Sequence, residues 1–332
     1  MKKIKNYLNY IIDFFKLLLG HNIPFYSFEI IIYTINSITK NNRIYQFFVR
    51  KYDPSVSFIN YKTAEFIAAG GGDESLNLYR KVVTNDDLLF EKIYKVDSRE
   101  FKNTYYFYTE IYSQVSALGI EVPQLICHEI GNKLAVMYLE FIEFRKNNNK
   151  INYKELFLKY DLALKQLPTK SVAEIENFQL FTSSTTYQRG KNKIIMDFPK
   201  EKRKFVEEFF LLLEKYFKRQ ELSFQHIDFH HNNIVNGKYL IDWDTASYYP
   251  KNYDLGTIHS WVMIDIMKQD IDNWELFIQG VKTNNNGVRD LCFEFSLFMH
   301  FARFYPELNL SNLFQKFIED YREKILIKHQ NH

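Results

Sequence analysis

The 332-residue chain carries 43 Lys and Arg against 40 Asp and Glu, a formal net charge of +3, and 46% of its residues are hydrophobic. That content rules out a disordered chain, and the near balance of charge argues against nucleic acid as a main partner. Cys127 and Cys292 form neither a CxxC nor a ladder of spacings, which excludes a disulfide scaffold and fits a reducing cytoplasm.

In chain order, residues 1–20 place Ile4, Leu8, Ile11, Ile12, Phe15, Leu18 and Leu19 on one helical face, with Lys2, Lys3, Lys5, Asn9, Asp13 and Lys16 on the other. Asp13 and Lys16 interrupt the apolar run and no small-residue cleavage site follows, so a signal peptide is not expected. A second apolar stretch, 25–38, contains Glu29 and is too short to cross a bilayer. Residues 1–57 therefore read as a helical pair whose apolar face is buried against the chain itself. The alternative is peripheral contact with the inner face of a membrane through residues 1–38.

From residue 58 the pattern turns to strands. Phe66–Ala69 runs into Gly70, Gly71, Gly72 and Ser75, then Leu78–Val83, and after a turn Leu88–Tyr94. A strand, a glycine loop and a second strand let a backbone approach phosphates closely, although any hairpin can carry glycines. Residues 101–118 have helical spacing, and Gly119 stops the helix. Strands follow at 124–128 and 134–142. Arg145–Lys150 is a polar break and the expected lobe boundary, giving lobes at 58–144 and 145–332. Beyond it helices are expected at 153–167, 202–217, 257–267, 272–281, 289–304 and 311–324, with 182–192 a polar, mobile connection.

Residues 224–258 carry the densest chemistry. His226 and Asp228 precede Asn233, then Ile234-Val235, an Asn236-Gly237 turn, and the return Tyr239-Leu240-Ile241 into Asp242. Asn-Gly between apolar pairs predicts a hairpin, whose open end brings Asn233 and Asp242 together. Two hard oxygen ligands facing a third carboxylate suit Mg²⁺, which keeps few protein ligands and fills its other positions with water and substrate phosphates. An iron triad of His226, Asp228 and His259 would leave Asn233 and Asp242 unused.

The stretch resembles the aminoglycoside phosphotransferase and choline kinase families, a branch of the protein-kinase-like fold. There a His-x-Asp-x-x-x-x-Asn loop is followed by Ile-Asp-Trp or Ile-Asp-Phe and a further Asp. Here those are His226, Asp228, Asn233, Ile241-Asp242-Trp243 and Asp254. The family usually has Gly after the His and Pro-Gly before the Asn. This chain has Ile227 and His231-Asn232, which stiffens the loop and removes no ligand. The resemblance covers roughly residues 60–310.

It implies an α+β, two-lobed kinase-like fold: a small β-rich lobe, a larger helical lobe and an extra N-terminal helical segment. It also implies Mg²⁺ and ATP or GTP as phosphate donor. Asp228 would orient the acceptor hydroxyl, Asn233 and Asp242 would hold Mg²⁺, and His226 and Asp254 would brace the loop. Lys92 on the third strand would grip phosphate, supported by Glu110, with Lys95 the competitor if the register differs. Gly71, Gly72 and Ser75 would approach the phosphates, and Glu140, Phe141 and Ile142 would offer backbone groups to the base. The expected acceptor is a hydroxyl of a sugar, amino alcohol or aminoglycoside-like molecule. Alternatives are a cell-envelope glycolipid or its sugar precursor, or a pseudokinase that binds nucleotide without turnover. A bare first helix would move the envelope-lipid reading ahead of the small-molecule one.

Overall fold

Side-chain alternation organises the first half of the chain. The computed structural model describes residues 2–39, 41–59, 61–69, 78–85, 87–144, 153–171, 185–228, 231–254, 256, 290–306 and 308–330. Helices α1 (Lys2–Leu18), α2 (Phe25–Thr39) and α3 (Asn42–Tyr52) precede strands β1 (Thr63–Ala69), β2 (Leu78–Val83) and β3 (Leu88–Lys95). After α4 (Arg99–Tyr106), one π-helical turn and α5 (Tyr112–Ala117) come β4 (Leu125–Ile130) and β5 (Leu134–Glu140). The five strands form an antiparallel sheet in the order β1-β2-β3-β5-β4.

Successive residues of a strand face opposite sides. Along β3, Leu89 and Ile93 join Leu17, Phe28, Ile32, Phe48 and Tyr52 of the three helices in one core. Tyr94 instead packs with Phe101, Ala135 and Met137 on the other face. The N-terminal helices are thus a layer over one side of the sheet. Helix α3 has no counterpart among the expected elements. Its start is marked by Asn41, whose carboxamide accepts from the Arg43 and Ile44 amides.

The first helix presents a different face from the one expected. Leu17 and Asp13 are buried and Leu18 is half-buried, whereas Ile11, Ile12, Phe15 and Leu19 are 44% to 75% exposed. The side chains of Ile4 and Leu8 lie outside the described residues. Asp13 turns inward because Ser27 Oγ of α2 donates to its Oδ2 at 2.7 Å, with Lys16 Nζ 3.3 Å from its Oδ1. A buried carboxylate with partners is tolerated, so the stripe of Phe14 and Leu17 beside it takes the core.

Two polar devices lock this layer to the sheet. One is a buried pair of Arg80 and Glu91, neighbours across β2 and β3. The other is Asp53, just past α3. Its carboxylate accepts from the Lys133 and Leu134 amides at 2.7 and 2.9 Å and from Ser55. Gly131 lies so close that an added Cβ would sit 2.4 Å from Asp53 Oδ2. Burial pushes the Asp53 pKa up, and the hydrogen bonds from Ser55, Lys133 and Leu134 overcome this, leaving it below the ordinary 3.8. A depressed folded-state pKa gives stability that is present above the unfolded value and lost as pH falls through the folded one. Asp53→Asn is therefore expected to be less stable than wild type at neutral pH, with the gap narrowing below pH 3.8. Urea titrations across that range check it; a pH-independent gap would sink the assignment.

The second half is largely helical. Its helices are α6 (Tyr153–Leu164), α7 (Thr185–Asp197), α8 (Lys200–Lys218), α9 (Leu291–Phe304) and α10 (Ser311–Gln330). The connection expected at 182–192 is overturned from residue 185 on: Tyr187, Ile194 and Ile195 form one buried stripe of α7, packed with α8, α9 and α10 around Phe210, Phe295 and Phe314. The helices expected at 257–267 and 272–281 lie outside the described residues. The chain divides into two compact units, residues 1–112 with 121–146 and residues 113–120 with 147–332. Neither Cys127 nor Cys292 is in a disulfide.

Candidate active site

The loop of the second unit grows from β6 (Leu222–Gln225), which pairs antiparallel with β9 (Ser247–Pro250). Between them, β7 (Ile234–Val235) and β8 (Tyr239–Leu240) form the expected hairpin. Asn236 and Gly237 have φ of 54° and 70°, and the Lys238 amide donates to the Val235 carbonyl at 3.2 Å. Two positive φ values suit the twist of a tight hairpin. At the open end the Ile241 amide donates to the Asn233 carbonyl at 2.9 Å, so Asp242 follows directly on the residue tied to Asn233.

Asn233 is buried, and its Nδ2 donates to the Asp228 carbonyl at 2.8 Å and to Asp228 Oδ2 at 3.2 Å. Its Oδ1 thus remains an acceptor. Asp228 is half-buried. Asp242 is half-buried in a left-handed backbone conformation, φ 63°, which Asp tolerates better than most residues.

Beneath these, Asp254 is buried and accepts from the His226 amide at 2.6 Å (Oδ2) and the Ile227 amide at 2.7 Å (Oδ1). The His226 ring Nε2 lies 2.9 Å from the Ile241 carbonyl, bridging loop and hairpin. Ile227 has φ 72°, a costly conformation for a β-branched residue, about 1–3 kcal/mol. This gives a physical reason for glycine at that place in the resembling families. Here the Asp254 carboxylate holds the two adjoining amides.

Two residues of this frame have no counterpart in the sequence reading. Gln225 Oε1 accepts from the Asp254 amide at 2.5 Å, while its Nε2 donates to the Tyr249 and Pro250 carbonyls. Thr245 Oγ1 donates to the His226 carbonyl at 3.0 Å. A polar amide at the end of a short apolar strand was the available signal for Gln225; nothing local marked Thr245.

In the first unit, Lys92 is 5% exposed. It shares the Tyr94 face of β3, its Nζ 4.8 and 5.3 Å from the Tyr79 and Tyr94 rings. Lys95 sits exposed at the strand end, 2.9 Å from Asp97. Glu110 is exposed on the π-helical turn Phe107–Ile111, a distortion common at functional sites. The Glu140 amide donates to the Gln124 carbonyl and the Phe141 amide to the Leu88 carbonyl. Of the expected base-contacting positions, those two amides are already bonded within this unit. Gly71, Gly72 and Ser75 lie outside the described residues, as does His259. Lys92→Ala is expected to lower nucleotide affinity or turnover by tenfold or more, a loss of about 1.4 kcal/mol, with Lys95→Ala near wild type. Nucleotide titration and steady-state rates check it, and equal losses for the two variants would sink the Lys92 assignment.

Among the described residues no group of three or more His, Cys, Asp or Glu is arranged to hold a metal ion. One carboxylate and one carboxamide oxygen still fit a cation that takes most of its ligands from water and phosphate.

Comparison with known proteins gives the family. A sequence model of the phosphotransferase enzyme family matches residues 68–278, well over half of the chain. No curated protein matches the chain significantly. Among solved structures, a microcompartment-associated aminopropanol kinase is 12% identical with a TM-score of 0.47, covering 79% of this chain and 93% of its own. An aminoglycoside-3'-phosphotransferase of type VIII is 13% identical, TM-score 0.45, covering 74% and 95%. An aminoglycoside phosphotransferase of Streptomyces rimosus, solved with ADP and streptomycin, is 12% identical, TM-score 0.45, covering 73% and 92%. On the family match, the chain belongs to the phosphotransferase enzyme family.

Proposed function

We propose that the protein moves the γ-phosphoryl group of ATP or GTP onto a hydroxyl of a sugar, amino alcohol or aminoglycoside-like compound, with Mg²⁺. The observation that carries this is the loop geometry: Asn233 Nδ2 bonded to Asp228, with Asp242 next to the residue that closes the hairpin on Asn233. Phosphoryl transfer asks a protein chiefly for positioning and charge stabilisation. In this reading Asp228 accepts a hydrogen bond from the acceptor hydroxyl and turns its oxygen toward the phosphorus. Asn233 Oδ1 and the Asp242 carboxylate would hold Mg²⁺, which when bound neutralises charge on the phosphates. Lys92, supported by Glu110, binds phosphate, and the backbone at Ile142, whose two preceding amides are already bonded, receives the base. His226 and Asp254 keep the loop in shape without touching substrate.

A second acceptor reading, a cell-envelope glycolipid or its precursor, is favoured by one observation, the exposed Ile11, Ile12, Phe15 and Leu19 of the first helix; buried Leu17 and half-buried Leu18 leave that helix only partly bare, so the small-molecule reading stays first. A thermal-shift screen separates the readings. ATP or GTP with Mg²⁺ is expected to raise the melting temperature, since a ligand at 100 times its Kd adds about 2.7 kcal/mol. Chelation should remove the Mg²⁺-dependent part, and Asp242→Asn should weaken Mg-nucleotide binding itself. Acceptors are then assayed in the presence of nucleotide, soluble ones free and glycolipids in vesicles. No nucleotide response with or without Mg²⁺ would end the proposal.

A further inference from the structure

The N-terminal layer concentrates two features. Nine of the 19 large exposed hydrophobic residues among the described residues fall between positions 11 and 47. Residues 1–57 also hold eight Lys and Arg against three carboxylates. Those three, Asp13, Glu29 and Asp53, are all buried, so every exposed charged side chain described in this segment is cationic. On α3, a surface groove of about 400 Å³ is lined by Arg43, Gln46, Phe47, Arg50 and Lys51, with no carboxylate among them. Glu129, outside the groove, lies within electrostatic reach of Arg50.

The apolar stripe of α1 and this groove adjoin. Ring contacts run Phe15–Phe14 at 5.7 Å, Phe14–Phe48 at 5.6 Å and Phe48–Phe47 at 5.3 Å. Exposed Phe15 and exposed Phe47 therefore flank one seam between α1 and α3. The geometry points to this face as a docking surface for an anionic phospholipid bilayer. Lipid phosphates sit in the α3 groove, while Ile12, Phe15 and Phe47 enter the boundary between headgroups and acyl chains. A helix with an apolar stripe and cationic flanks lies in that interface. No helix among the described residues is long and apolar enough to cross a membrane, so the contact is peripheral. A second copy of the chain is a poorer occupant, because a two-fold interface would set the same exposed cations against each other.

Co-sedimentation of the full chain with vesicles tests this independently of turnover. A chain shortened to start near Ser57 is unsuitable, because it would strip the helices from the sheet core. The protein is expected to sediment with phosphatidylcholine vesicles only when phosphatidylglycerol is added, and less so as salt rises. Each cation near an anionic leaflet counts about fivefold, so Arg43→Ala with Arg50→Ala is expected to lower the partition coefficient about 25-fold. Phe15→Asp should also reduce binding, and Lys204→Ala on α8 should not; melting temperatures of these surface variants should match wild type. The proposal is overturned if wild type ignores anionic vesicles or binds neutral ones equally well, or if the arginine pair and Phe15 variants bind unchanged. It is equally overturned if light scattering shows a dimer that Phe15→Asp dissociates while vesicles are not bound, or if the groove takes only inorganic phosphate in solution.

Discussion

Asp228→Asn is expected to lower kcat by about 10²–10⁴-fold, the usual range for removing a positioned general base, while nucleotide affinity stays at the wild-type level. The substitution changes one atom. Its amide oxygen can still accept from Asn233 Nδ2, the bond Asp228 Oδ2 receives at 3.2 Å, and Asp254 still holds the His226 and Ile227 amides from below. What is lost is the negative charge that, in the proposed role, orients the acceptor hydroxyl and takes its proton. A rate assay with an identified acceptor, paired with nucleotide titration, separates this from a folding defect. Unchanged turnover would remove Asp228 from the proposed role. The contrast is Asp254→Ala: it leaves the buried His226 amide and the part-buried Ile227 amide without acceptors, a cost of about 1–3 kcal/mol for the buried one, and should lower activity and stability together.

The largest stability effect is expected at Glu91. Arg80 and Glu91 are both 0% exposed and pair twice, Nε to Oε1 at 2.6 Å and Nη2 to Oε2 at 2.9 Å. The guanidinium also donates to Tyr61 Oη at 2.6 Å and to Asn42 Oδ1 at 3.4 Å, and lies 3.5 Å from the Tyr45 ring centroid. Tyr45 Oη in turn donates to Glu91 Oε1 at 3.4 Å. Burial alone would lower the arginine pKa; the Glu91 charge beside it reverses that and raises it. Glu91→Ala removes the compensation and strands a buried cation, a change that typically costs about 3–5 kcal/mol. Removing both charges with apolar residues of similar size is often close to neutral. Arg80→Met with Glu91→Leu should therefore recover most of the loss seen in Glu91→Ala. Urea denaturation of the three variants measures it. A double variant as unstable as Glu91→Ala would mean that the pair itself, and not its compensation, supplies the stability.

The loop geometry was legible because it is local. His226, Asp228, Asn233 and Asp242 lie within seventeen positions, and Asn236-Gly237 dictates the hairpin whose end ties Ile241 to Asn233. Short-range turn chemistry needs no knowledge of the rest of the chain. The strands at 78–83 and 88–95 were legible for the same reason: a period of two is visible in a few residues. Lys92 and Lys95 lie three positions apart on one strand and so face opposite sides of the sheet. The resemblance put Lys92 first with Lys95 as competitor, and only the packing of Tyr79 and Tyr94 around Lys92, with Lys95 exposed at the strand end, shows which lysine is buried.

The face of the first helix was decided by tertiary structure alone. Residues 1–20 carry two overlapping apolar stripes, one through Ile11 and Phe15 and one through Phe14 and Leu17. The first was the face expected inside, with Asp13 on the opposite, polar side. A Ser27 hydroxyl fourteen residues away satisfies that carboxylate, so the stripe with the charge goes inside and the cleaner one faces out. The same holds for Arg80 with Glu91 and for Asp53 with the Lys133 amide. Each reads as an ordinary surface charge until a partner 11 or 80 residues distant is brought to it. By itself, sequence determined the strands of the sheet and the hairpin that ties Ile241 to Asn233, because their causes lie within a turn or a strand. Which charges are buried, which lysine turns inward and which apolar stripe stays bare were settled only by packing, because burial depends on groups that chain order keeps far apart.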